Sequence, residues 1–152
     1  MNLRLVTRAP GFATGSIGNL AISYWESHQT AEQAHHAVEV LSALGRTEGR
    51  VLVLAVLPPM APAPSNAVRT VISNAFTRLG SQIHAVANVV EGDGFRAATM
   101  RAVVTSMALV IRPSYPVKTV ATVEDAAEFL SAHSDGRLTV SDIVLASREL
   151  RA

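Results

Sequence analysis

The histidines are the first side chains to weigh for chemistry. His35 and His36 stand side by side, whereas two imidazoles on a helix converge on one metal ion when they are four residues apart. His35 and Glu39 share a helix face, but one His with one Glu makes a surface pair and no site. His84 falls inside an apolar strand, and His28 and His133 fall at the ends of elements. No serine lies in a Gly-x-Ser-x-Gly elbow. With no cysteine in the chain there is no thiolate nucleophile, no disulfide framework and no Cys-based zinc site. The stretch "EGDGF", Glu91 to Phe95, offers backbone N–H groups to an anion at the start of a helix with Arg96 beside them, so Gly94 and Arg96 are candidate anion-binding residues. A turn that needs positive φ also explains its two glycines. The runs Val51 to Leu57 and Ile83 to Val90 hold no charged residue, so a buried acid or base would have to come from loops. The expectation is a protein with no catalytic residue, no metal and no cofactor.

Composition bounds the rest. A chain of 152 residues, 49% of them hydrophobic, suits one domain with a real core. The 13 basic side chains balance 12 acidic ones and the arginines are dispersed, which argues against nucleic acid as a partner. The start, "MNLRLVTRAPGF", lacks the apolar centre of a secretory signal, and no apolar run reaches the roughly 18 to 20 residues of a transmembrane helix. A soluble, cytoplasmic protein is expected.

The pattern along the chain alternates strands and helices. "NLRLVTR" and "NLAISYWES" are strand candidates, joined by a stretch from Pro10 to Gly18 that reads as a turn or loop. Thr30 with Gln33 forms a capping-box pattern for a helix that Gly45 is placed to end. "RVLVLAVL" is continuously apolar, as a strand buried on both faces must be, and reads as the central parallel strand. Ser65 caps the next helix, whose stripe runs Val68, Val71, Ile72, Ala75, Phe76 and Leu79. "IHAVANVV" is another buried strand. The helix that begins near Phe95 is apolar over most of its circumference, so it should be covered on more than one side, and a homodimer contact is one way to cover it. "YPVKTVA" predicts a short strand, "TVEDAAEFLSAH" a helix capped by Thr122, and "TVSDIVLASRELRA" a last helix capped by Ser141. The alternation predicts an α/β domain with a mostly parallel central sheet flanked by helices, its core at about residues 17–133, and residues 134–152 as a helical C-terminal extension.

The order of elements resembles the STAS superfamily, and within it the SpoIIAA-like, anti-anti-sigma-factor-like branch. The residues that carry the resemblance are "VLVLAVLPP" ahead of a helix, "GFRAATMRAVV" in the third helix and the ending "YPVKTVATVEDAAEFL". What the resemblance implies is a non-catalytic signalling or scaffolding module, in which a serine at the start of the helix after the central strand is phosphorylated and blocks docking. Ser65 is the matching residue and so a candidate regulatory phosphoacceptor. The stretch here reads "LPPMAPAPSNA", without the Asp and Gly of the family's motif, and a capping role accounts for Ser65 by itself.

The prolines Pro58, Pro59, Pro62 and Pro64 pre-order that loop, so it can dock a partner with little entropy lost, or simply stop the strand. Candidate partner-binding residues are Pro59, Met60, Ser65, Asn66 and Arg69, with Trp25, the only tryptophan, as a further anchor. The expected function is therefore protein–protein contact at the loop after the central strand, in a homodimer. The alternative is a carrier of a small apolar, lipid-like ligand held between helices and sheet, with the apolar third helix lining the pocket.

Overall fold

Two tight hairpins open the chain. The computed structural model describes residues 2–152, in which β1 (Arg4–Ala9), β2 (Phe12–Ile17) and β3 (Leu20–Trp25) form an antiparallel meander. Each hairpin turns on two residues, Pro10-Gly11 and Gly18-Asn19, with the glycines at φ +75° and +55°. The stretch expected as a loop from Pro10 to Gly18 is thus mostly a strand, and every residue of β2 is buried. Gly15, inside that stretch, sits where the β1 backbone crosses closely: a Cβ there would lie 2.6 Å from the Arg4 carbonyl oxygen, beside a register shift between Leu5 and Thr7.

Beyond β3 the strands β4 (Val51–Leu57), β5 (Ile83–Val90) and β6 (Val117–Val120) add in parallel, giving the order β1-β2-β3-β4-β5-β6. The fold is α/β, as the alternation predicts. The sheet is mixed, parallel only from β3 onward, because the first three strands are close enough in sequence to pair through hairpins. The parallel strands are joined by α1 (Ala31–Glu48), α2 (Asn66–Arg78) and α3 (Gly94–Ile111), which lie on one face of the sheet. The other face carries α4 (Val123–Ala132) and α5 (Val140–Arg151). β4 shows why its run is continuously apolar: Leu52, Leu54 and Val56 pack toward α4 and α5, while Val51, Val53 and Leu57 serve the opposite side.

Helix ends follow side-chain capping with two corrections. α1 runs through Gly45 to Glu48 and stops at Gly49, which takes φ +77°. The Gly45 carbonyl instead accepts a bond from the Gln82 amide at 3.3 Å, which uses the space a side chain would fill. α5 is capped by Thr139, two residues before the expected Ser141. Thr139 and Asp142 exchange side-chain and backbone bonds at 2.9 and 3.0 Å, and the hydrogen bonds from Thr139 hold the Asp142 carboxyl below its ordinary range. The C-terminal residues are part of the main core: Ile143 and Leu150 are 0% and 1% exposed. Arg151 clamps α5 to the end of β5 through a bidentate pair with Glu91, 2.9 Å on both arms, and lies over the Tyr24 ring at 4.7 Å.

α3 is the exception to burial. Only Ala97 and Val104 of its 18 residues are buried, and Phe95, Leu109 and Val110 are 87%, 70% and 79% exposed. Within the chain it is covered on one side, which leaves the further cover expected from the sequence to a contact outside the chain. It is the one helix among the described residues that is long and apolar enough to cross a membrane by length and composition. Its Val104, Met107, Ala108 and Ile111 are nevertheless directed at the sheet side.

Candidate functional site: an apolar cavity between the sheet and three helices

The register of the sheet sets the site. Thr14, Ser23, Ala55 and Asn88 pair across β2, β3, β4 and β5 at one level, and Thr119 continues the row on β6. Side chains opposite one another in a sheet share a face, so this is a transverse band of small or polar groups. Two residues to one side lies Ala21, Val53, Val86 and Val117; two to the other lie Trp25 and Leu57. A face packed against helices normally fills its middle with Val, Ile or Leu. Here the middle row is short, and α1 meets it with Ala34 and Ala37.

Small against small leaves space. The result is a cavity of about 140 Å³, counted as the volume open to the centre of a water-sized sphere, roofed by α1, by Ile72 and Phe76 of α2, and by Val104, Met107, Ala108 and Ile111 of α3. That is roughly ten times the 10–15 Å³ that one water needs on the same measure. The floor from β2 to β6 and from Ala21 to Trp25 is about 19 Å by 13 Å at standard strand spacing and rise.

Its polar groups are few and uncharged: Thr14, Ser23, Gln29, Asn88 and Tyr115. Thr14 donates to the Ile22 carbonyl at 3.1 Å, and Ser23 accepts from the Trp25 indole N–H at 2.8 Å, so these two are locally satisfied. The Gln29 Oε1 is enclosed and has no hydrogen-bond partner among the described residues. Asn88 has only the Ala55 methyl beside it on β4. Burial pushes the Tyr115 phenol above its ordinary value of 10.0, so it remains a neutral hydrogen-bond donor.

Trp25 belongs to this wall. It is 5% exposed, packs on Phe12 with ring centroids 4.7 Å apart, and faces the cavity. The residue named from the sequence as a candidate partner anchor is thus turned into the chain, with Phe12 of β2 beside it.

Of the other residues singled out in the sequence, Pro59, Met60 and Arg96 line a second, smaller depression at the carboxyl ends of β4 and β5. Pro58 and Ala61 close a turn by a 3.1 Å bond with Pro59 second and Met60 third at φ +71°, the geometry of a type II turn, and Met60 is 70% exposed. Arg96 donates to the Met60 carbonyl at 3.4 Å, and Pro59 lies against Gly92. Arg96 is thus turned to a backbone carbonyl, with Glu91 and Asp93 in the same depression, which opposes an anion there. Gly94 takes φ +86° at the start of α3, the turn explanation of its presence. Ser65 caps α2 by accepting from Val68 N–H at 3.3 Å and is exposed, as is Asn66; the enclosed Nε of Arg69 has no partner among the described residues. His36, and not His35, is the α1 histidine near acids, 4.0 Å from Glu32 and 3.8 Å from Glu39. His84 and His133 approach to 6.2 Å between ring centroids. No group of three or more His, Asp or Glu with metal-binding geometry occurs among the described residues.

Sequence reasoning missed Thr14, Gln29, Asn88 and Tyr115. One signal was there to use: Asn88 is the single amide in the apolar run Ile83 to Val90, and an amide at a core-facing strand position needs a partner. The transverse row could not be read, because strand register is a tertiary fact. No protein-family model, curated protein or solved structure matches the chain.

Proposed function

We propose that this protein binds a small, largely apolar molecule between its sheet and α1–α3. The observation that carries the reading is the cavity above the Thr14–Ser23–Ala55–Asn88 row, roofed in part by an α3 that is otherwise barely buried. Concave apolar pockets with a few convergent polar groups are the usual form of small-molecule sites. An apolar ligand seated there gains dispersion contacts with the wall and removes apolar surface from water. The test is uptake of the neutral dye N-phenyl-1-naphthylamine, read by energy transfer from Trp25, whose ring is in the wall. Saturable transfer with one site per chain is the expected result. Dye fluorescence that rises linearly without transfer from Trp25 would place the dye on the exposed face of α3 and end the reading.

A second reading has its own observation. The exposed residues Met60, Phe95, Leu109 and Val110 favour protein contact, in line with the STAS-like, SpoIIAA-like resemblance, a signalling role in the cytoplasm, a homodimer and Ser65 as phosphoacceptor. Native mass spectrometry separates the two: a dimer of unmodified chains supports contact, and excess mass lost on denaturation supports a bound small molecule.

A further inference from the structure

The lining of the cavity constrains the ligand beyond its being apolar. Not one Lys, Arg, His, Asp or Glu side chain is among the residues of its wall. A carboxylate, phosphate or ammonium drawn into such a space would lose its hydration without gaining a counter-charge, a far larger penalty than that for a neutral polar group. The wall is not purely apolar, however. It includes two carboxamides: Gln29, just before α1, with an enclosed carbonyl oxygen that lacks a donor among the described residues, and Asn88, in mid-β5 beside the Ala55 methyl. Tyr115 also belongs to the wall.

We infer that the ligand is electrically neutral and carries a group that both donates and accepts hydrogen bonds, an amide or an alcohol on an apolar body, read by Gln29 and Asn88. The inference rests on the ligand-binding reading above and adds its chemical class. A neutral donor satisfies Gln29 Oε1, which is otherwise a cost to the fold. Asn88 offers both N–H donors and a carbonyl to such a group. A fatty acid of the same length brings a carboxylate, which has no donor function near neutral pH and meets no cation.

A matched pair tests this: octanamide and octanoate, which share a chain and a head-group shape and differ in charge. Each is titrated near neutral pH against N-phenyl-1-naphthylamine bound to the full chain. The expected result is displacement by octanamide at concentrations at least about tenfold lower than by octanoate, as unpaired burial of charge demands. Equal or tighter binding of octanoate, with dye uptake intact, overturns this inference and leaves the ligand-binding reading standing. No dye uptake at all overturns both. Gln29→Leu and Asn88→Leu then locate the head group. Either is expected to weaken octanamide by about tenfold while sparing the dye, the size of one lost hydrogen bond with its partner left unpaired. If octanamide binds both variants as it binds the parent, the two carboxamides do not read the ligand and the inference fails.

Discussion

Replacing Ala55 by Leu should stabilise this protein and abolish its uptake of apolar ligands. Ala55 is half-buried in the centre of β4, and its methyl lines the cavity floor. Leucine adds three carbons, each worth about 0.8 kcal/mol when removed from water. Loss of rotamer freedom takes back about 0.5–1 kcal/mol. The net is a gain of about 1–2 kcal/mol, or roughly 3–6 °C in Tm for a chain of this size. The control is the same substitution one strand away on the other face. Ala87 is 0% exposed and packs toward Ala126 and Ala127 of α4, both also 0% exposed. Because Ala87 is fully buried in that close-packed core, Ala87→Leu should cost about 1–3 kcal/mol through overpacking. Urea and thermal unfolding give the stabilities, and N-phenyl-1-naphthylamine fluorescence gives the uptake. Loss of stability in Ala55→Leu comparable with that in Ala87→Leu would refute the argument that the space is real. Unchanged uptake in a stabilised Ala55→Leu would show that the space is not where ligands go.

Other expectations follow from the core and the caps. Ile143→Ala should destabilise by about 2–5 kcal/mol, measured by urea unfolding, because α5 is a full member of the main core; a loss under 1 kcal/mol would mean that α5 is a dispensable extension. Thr139→Ala should cost about 1 kcal/mol as a lost cap. The depressed pKa of Asp142 makes that cap pH-dependent: its contribution is present above the ordinary carboxylate range and is lost as pH falls through the lower folded-state value. Acid titration of stability should therefore be shallower in Asp142→Asn than in the parent, because the main cause of the shift, the Thr139 backbone N–H bonded to the Asp142 carboxylate, survives loss of the Thr139 side chain; identical curves would exclude Asp142 as the source. For Tyr115 the sign is reversed. Its pKa is raised by burial, so stability is whole below about pH 10 and declines as pH rises toward the folded-state value; Tyr115→Phe should remove that alkaline loss, checked by unfolding at high pH.

Local chemistry made much of the fold legible in the chain. The continuous apolar runs at Val51 to Leu57 and Ile83 to Val90 could only be strands covered on both faces, and Ser65, Thr30 and Thr122 announced three helix starts because a cap needs only its own next turn. Where the local signal misled, a distant neighbour was the reason. The stretch holding Gly15 looked like a turn or loop because the need of Gly15 for a bare Cα comes from β1, eleven residues upstream at Arg4. Gly45 looked like a helix end because Gln82 was not yet known to lie on it. The cavity belongs wholly to this second kind. Thr14, Ser23, Ala55 and Asn88 are unremarked small or polar residues on four strands, and only the pairing register sets them in one row. The sequence by itself determined most of the strand and helix segments, β2 excepted, since hydrophobic period and capping act within a few residues. Only the tertiary structure decided that small side chains face small side chains across a helix–sheet gap, because that depends on register and on which helices roof which face, and both are set by contacts between parts of the chain far apart in sequence.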